Sequence, residues 1–259
     1  MCVNNNQSLS ILIPSYNFDI HDLVTSIHQL CLNCEYILYF EIICIEDGSI
    51  QYFKNETIEK LKYVKYSKLN KNLGRSKIRN VMAQKAIYNW LLFIDCDSKI
   101  VNSDFISNYM RQVIDIRNEN YCHDLLLYGN TIYQKETPKK EKILHWKYGS
   151  QVESKNKKYN FSSHHFLISK KCFTNHKIKF NERIKTYGYE DVFFILENNL
   201  KPLYITNPLM HIGIKNTSDF IKETESALQN LIKFYELVKN QKKIKIIRIH
   251  NTLSQFMLT

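Results

Sequence analysis

Apolar residues recur along the chain in two alternating rhythms. Ser8 to Pro14 (SLSILIP) is a short apolar run closed by proline, and Asp22 to Leu30 then sets Leu23, Ile27 and Leu30 at helical spacing. A strand therefore leads into a helix. The pair repeats: Phe40 to Ile45 ends in Glu46-Asp47-Gly48-Ser49, a helix is expected over Phe53 to Leu61, and Tyr63 to Ser67 reads as a third strand. Arg75 to Ile87 is helical in pattern, and Trp90 to Ile94 (WLLFI) is a fully apolar fourth strand.

Strands alternating with helices predict a mostly parallel sheet covered on both faces, and such α/β sheets bind ligands at the carboxyl ends of their strands. Two strands deliver acids there: Glu46 and Asp47 after the second, Asp95 and Asp97 after the fourth. Past Ser103 the rhythm loosens. A helix is expected near Asp104 to Ile116, strands near Leu125 to Tyr133 and Phe161 to Ile168, and a helix over Glu190 to Asn199 entered from Gly188. Residues 134–160 hold eight Lys against three Glu, which reads as a mobile surface loop. Thr217 or Ser218 is expected to cap a last amphipathic helix with Phe220, Thr224, Leu228, Leu231, Tyr235 and Val238 on one face. The expected division is a domain over 1–216 and a helix with a basic tail over 217–259.

Composition narrows the class. With 14 Phe, 17 Tyr and 44% hydrophobic residues the chain is too apolar to be disordered. No apolar run approaches the roughly 20 residues of a spanning helix, and Met1 to Ser10 does not read as a signal peptide, so a cytoplasmic protein is expected. Cys31-Leu32-Asn33-Cys34 lacks the second ligand pair of a structural zinc site, and the seven cysteines read as reduced thiols. The net charge of +11 gathers in 134–160 and in Lys239 to Arg248, and such patches attract polyanions. No helix-turn-helix, zinc-finger or RNP pattern accompanies them, so nucleic acid is not an expected partner.

The sharpest chemical signal is Asp95-Cys96-Asp97. Carboxylates at a strand end can hold Mg²⁺ or Mn²⁺ and share the ion with substrate phosphates, although an isolated Asp-x-Asp also suits a solvated turn. Around it, Ser10 to Asn17 (SILIPSYN), Glu46-Asp47-Gly48-Ser49, Asn72-Leu73-Gly74 with Arg79-Asn80, and Gly188-Tyr189-Glu190-Asp191 stand in a set order. In that order the chain resembles the inverting family 2 glycosyltransferases of the GT-A fold over roughly residues 8 to 235. Phe180-Asn181-Glu182-Arg183 through Asn207-Pro208-Leu209-Met210-His211 further resembles a bacterial subgroup that builds surface polysaccharides.

The resemblance implies roles. Pro14 and Tyr16 would line the pocket of the nucleotide base, Asp47 would bond the base, and Arg79 would lie near the nucleotide. Asp97, with Asp95 near the ribose or metal and His211 as a further ligand, would hold the divalent cation. Asp191 would be the catalytic base and Glu190 would orient the acceptor. His145, His164 and His165 have weaker claims as ligands, and Trp146 is an aromatic that could stack on a sugar. Arg75 shares a helix face with Arg79.

The implied activity is metal-dependent, inverting transfer from a nucleotide-diphosphate sugar, UDP-linked rather than GDP-linked. The implied acceptor is a glycan or lipid-linked glycan hydroxyl in cell-surface polysaccharide synthesis. The basic tail, with Ile244, Ile246, Ile247 and Ile249, suggests peripheral docking on an anionic inner-membrane face. Two alternatives stand beside this reading. A sugar nucleotidyltransferase would want a Gly-rich basic loop after the first strand, and residues 14–20 contain neither glycine nor lysine. A non-catalytic polyanion-binding protein with a degenerate site would use the charge alone.

Overall fold

The computed structural model describes residues 7–51, 53–118, 125–155, 161–174 and 177–234. The first half follows the predicted alternation: β1 (Ser8–Ser15), α1 (His21–Leu32), β2 (Tyr39–Glu46), β3 (Val64–Lys68), α2 (Arg75–Lys85) and β4 (Trp90–Ile94). β2 and β4 flank β1, and β3 follows β2, all parallel. Successive residues of β1 face opposite layers. Leu9, Ile11 and Ile13 join the core beneath α1, while Leu12 joins Ile78 and Met82 of α2 on the other face. Burial on both faces is why these strands read as unbroken apolar runs.

The expected helix between β2 and β3 is instead a short 3-10 turn, Asn55–Lys60. Lys54 sits in the left-handed region at φ 56°, and the buried Asn55 amide bonds Ile20 and Phe18, so the segment is fixed by side-chain contacts to the β1 loop. Asn17 ties the same corner, its Oδ1 accepting the N–H groups of Ile50 and Gln51.

The second half departs further from simple alternation. It comprises β5 (Ser98–Ile100), α3 (Phe105–Asn118), β6 (Leu126–Tyr128), β7 (Thr131–Ile132), α4 (Ile143–Gln151), β8 (His165–Ser169), α5 (Lys170–Thr174), α6 (Glu190–Glu197), β9 (Leu203–Tyr204), β10 (Leu209–His211) and α7 (Thr217–Lys233). The large sheet runs β3-β2-β1-β4-β8-β6-β9, with β8 antiparallel to both neighbours. A small sheet, β5-β10-β7, lies over its carboxyl edge side, where β5 leaves the end of β4.

Leu125 to Tyr133, expected as one strand, is two, because the chain passes from the large sheet at β6 to the small one at β7. Part of the Lys-rich segment expected as a mobile loop is the ordered helix α4. It docks on α7 by stacking His145 against Phe220, 4.6 Å between ring centres. The cap of α7 is Asn216 rather than Thr217 or Ser218. Its backbone is extended and its Oδ1 accepts the Asp219 N–H at 2.9 Å. Of the predicted α7 face, Leu231 is buried and Thr224 exposed, while Tyr235, Val238 and the basic tail lie outside the described residues. Among the described residues no helix is long and apolar enough to cross a membrane. Cys31 and Cys34 are free and buried.

One side chain locks α2 to the segment ahead of α6. Asn80 accepts the Phe180 N–H and donates to the Phe180 carbonyl, both at 2.9 Å and buried. Asn80→Ala strands both backbone groups, and chemical denaturation should show a loss of about 2 to 4 kcal/mol. An unchanged unfolding midpoint would mean that this tie does not hold the halves together.

Candidate active site

Two cavities meet along a shared wall at the carboxyl edge of the large sheet. The larger, about 770 Å³, is bounded by Pro14, Tyr16, Asn17, Asp47, Asn72 and Arg79. The smaller, about 290 Å³, is bounded by Tyr128, Thr131, Tyr133, His164, Glu190 and Asp191, among others. Arg75, Asp95, Asp97, Tyr187, Lys215 and Glu223 line both.

In the larger cavity Tyr16 stands half-exposed at the mouth, with Pro14 in the wall. Asp47 is buried where β2 ends. Its Oδ1 accepts the Leu73 N–H at 2.7 Å and its Oδ2 the Gly74 N–H at 3.1 Å, which fixes the loop opening α2. Burial pushes its carboxyl up, and these two bonds offset part of the rise. Each oxygen retains further acceptor capacity. Glu46, which the strand pattern also placed at the edge, turns away: it is buried and takes the Tyr66 hydroxyl and the Asn55 amide.

Arg79 lies beneath the shared wall with 1% exposure. Its Nη2 reaches Asp95 Oδ1 at 2.7 Å and its Nη1 is 3.7 Å from Glu190 Oε1. Its Nε and Nη1 carry no hydrogen bond among the described residues. Arg75, one turn earlier, is 3.9 Å from Asp95 and 3.7 Å from Glu190, with its guanidinium 4.8 Å from the Tyr187 ring centre.

Asp97 lies on the β4–β5 turn, and β10 delivers His211 opposite Ser98. His211 Nδ1 is 3.5 Å from Asp97 Oδ1. Burial would raise the Asp97 carboxyl, but His211, His164 and Arg75 hold it well below the usual carboxylate range. Burial would lower His211, and Asp97 outweighs that and pushes it up.

The ligand atoms of Asp97, His211 and His164 fall within 4.8 Å of one another. Asp95 stands beside this trio but outside it, engaged by Arg79. One carboxylate and two imidazoles form a mixed oxygen and nitrogen donor set that a divalent transition-metal ion accepts more readily than Mg²⁺ or Ca²⁺ does. Gly213 leaves the needed room, since a Cβ there would come within 2.3 Å of Asp97 Oδ2. His164 bonds Thr131 through Nδ1 and Ser98 through Nε2, both at 2.9 Å, and burial depresses it to about 3, so it is neutral.

Glu190 and Asp191 open α6, after Tyr189 in the left-handed region at φ 64°. Glu190 is buried, and its Oε2 accepts the Gly188 N–H at 3.1 Å. Burial pushes the Asp191 carboxyl up to about 7, and Glu190 acts in the same direction against the N–H groups of Val192 and Ser163. α7 braces this turn from behind. Asn230 Nδ2 donates to the carbonyls of Tyr187 and Gly188, each at 3.1 Å, and Ala227 fills the space a Gly188 side chain would need.

Sequence reasoning gave His164 and His145 weak claims and missed Tyr133, Tyr187, Lys215 and Glu223 as cavity residues. His165 is a core residue bonded to the Tyr109 hydroxyl at 2.7 Å. Trp146 donates to the Gln134 carbonyl and lines neither cavity; Tyr148 is the α4 aromatic that does.

With this geometry in place, residues 10–176 match Glycosyl transferase family 2, and the chain belongs to that family. Its mostly parallel sheet flanked by helices is the GT-A fold. Similar solved structures include S. aureus TarS 1-349 in complex with UDP, at 19% identity and TM-score 0.55 over 85% of this chain and 64% of that one. The same fragment in complex with UDP-GlcNAc aligns at 20% identity and TM-score 0.55, over 86% and 66%. Against a longer S. aureus TarS structure the TM-score is 0.54 at 18% identity, over 86% of this chain and 40% of that one. The chain thus spans under two thirds of the first two TarS structures compared. None of the curated proteins compared with it matches.

The raised Asp191 has a consequence for stability. Protonated Asp191 favours the folded chain below its ordinary 3.8, and that advantage is lost as pH rises through about 7. Asp191→Asn should flatten the decline in unfolding midpoint between about pH 4 and 7. Parallel pH profiles for the two proteins would contradict the shift.

Proposed function

We propose that the chain is an inverting glycosyltransferase that moves a sugar from a UDP-linked donor to an acceptor hydroxyl. The observation that carries this reading is the position of Asp191, in the smaller cavity and across the shared wall from a cavity large enough for a nucleotide. Family membership supports the reaction class, and the UDP and UDP-GlcNAc complexes of TarS support the donor class.

On this reading the base lies by Pro14, Tyr16 and Asp47, the diphosphate lies at the shared wall, and the sugar projects into the smaller cavity. A divalent cation held by Asp97 and His211, with Asp95 or His164 beside it, would neutralise charge on the leaving diphosphate. Asp191 accepts the proton of the acceptor hydroxyl as that oxygen bonds to the anomeric carbon. The bond to the diphosphate breaks on the opposite face, which inverts the centre. A carboxylate raised towards neutrality suits a base that must both hold and release a proton near pH 7. Glu190, held by Gly188 and facing two arginines, positions this corner and keeps negative charge beside Asp191. A glycan or lipid-linked glycan acceptor, with docking of the basic tail on an anionic inner-membrane face, completes the proposal.

Two measurements test it. UDP with Mn²⁺ should raise the melting temperature more than UDP alone, GDP or CMP, and Asp97→Ala should remove the Mn²⁺-dependent part. Equal shifts without metal would overturn the role of the cation, and none with any nucleotide would overturn the donor site. Asp191→Asn should lower turnover at least about a hundredfold while UDP affinity stays within about twofold. Retained turnover would move the base elsewhere.

A further inference from the structure

Among the described cations, Arg75 and Lys215 alone line both cavities. Arg75 faces the acids Asp95 and Glu190. Lys215 is paired differently, its Nζ donating to Glu223 Oε1, a carboxylate presented by α7. The two side chains are 29% and 28% exposed, so water screens the pair and its hold is weak. The Lys215 ammonium also lies 5.2 Å from the Tyr187 ring centre, the ring that Arg75 approaches from 4.8 Å. Two cations thus share one aromatic ring at the wall between the cavities.

Resting on the donor site proposed above, we propose that Lys215 binds the donor diphosphate and that Glu223 competes with the diphosphate for it. A diphosphate offers more charge and more acceptor oxygens than one carboxylate, so it wins the exchange when bound. The backbone needs no movement for this. The Lys215 N–H donates to His145 Nδ1 at 2.9 Å, and His145 is itself stacked on Phe220 of α7. Only the side chain turns, from α7 towards the shared wall. Glu223 therefore weakens the hold on donor and on UDP alike, and it gives UDP a competitor that hastens its departure after transfer.

Titration of UDP with Mn²⁺ into wild type, Glu223→Gln, Lys215→Met and the double variant tests the exchange. Glu223→Gln should tighten UDP about two- to fivefold, the scale of a partly exposed, screened ion pair. Lys215→Met should weaken UDP about tenfold or more, the scale of a lost charge-assisted bond to phosphate. In the Lys215→Met background the Glu223→Gln gain should vanish.

Tightening is the informative sign, because a merely structural role for Glu223 would loosen α7 and weaken binding. Unchanged or weaker UDP binding by Glu223→Gln overturns the proposal. An equal gain with and without Lys215 also overturns it, since Glu223 would then act by general charge. If wild type binds UDP and these effects are missing, the exchange alone falls. If wild type binds no UDP, the donor site falls with it.

Discussion

A single buried guanidinium ties the motifs of this site into one piece. Arg79 leaves α2 with 1% exposure, grips Asp95 at the end of β4 and faces Glu190 at the start of α6. Asp95, Glu190 and the adjoining Asp191 would otherwise crowd three carboxylates into a region poor in water. Arg79, with Arg75 beside it, makes that crowding tolerable, and losing one partner of such a buried group costs on the order of 3 to 5 kcal/mol. The arrangement leaves Asp191 under the influence of burial and of Glu190, which together raise its carboxyl towards neutrality. Stability and the chemistry of the proposed base therefore depend on the same knot.

Both cavities draw on the two halves of the chain. The larger follows from β1, β2 and the loop opening α2, where Asp47 clamps the Leu73 and Gly74 N–H groups. Elements beyond residue 176, where the match to Glycosyl transferase family 2 ends, add walls to both cavities. Those elements supply Glu190, Asp191, His211 and the brace of α7. Asn230, a polar residue on the inner face of α7, holds the turn before the acid pair through two carbonyls. α7 is thus a wall of the site as well as a cover for the core.

The parallel half of the fold was legible because strands buried on both faces show as continuous apolar runs ended by acids, as at Trp90 to Asp97. The later strands carried little pattern. β6, β7, β9 and β10 have two or three residues each, too few for a period to register. The antiparallel β8 hid one cavity residue. Its register sets His165 opposite Ile94, and the Asp95 N–H then bonds the His164 carbonyl, which brings His164 to Asp97 from 67 residues away in sequence. Glu46 misled because its position at a strand end matched that of Asp47, while its partners Tyr66 and Asn55 lie in the sheet and loop behind it. Lys215 and Glu223 belong to no sequence motif, and only the fold of α7 over the shared wall brings them to the site.

The claim on which all of this converges is that bond breaking at the shared wall and attack from the side of Asp191 occur on opposite faces of the sugar. Slow hydrolysis of an α-linked UDP-sugar, chosen by screening for binding with Mn²⁺ and followed by proton NMR before mutarotation, reads that geometry directly. The account predicts that the β anomer is released first and that its appearance depends on Asp191. Release of the α anomer would contradict it.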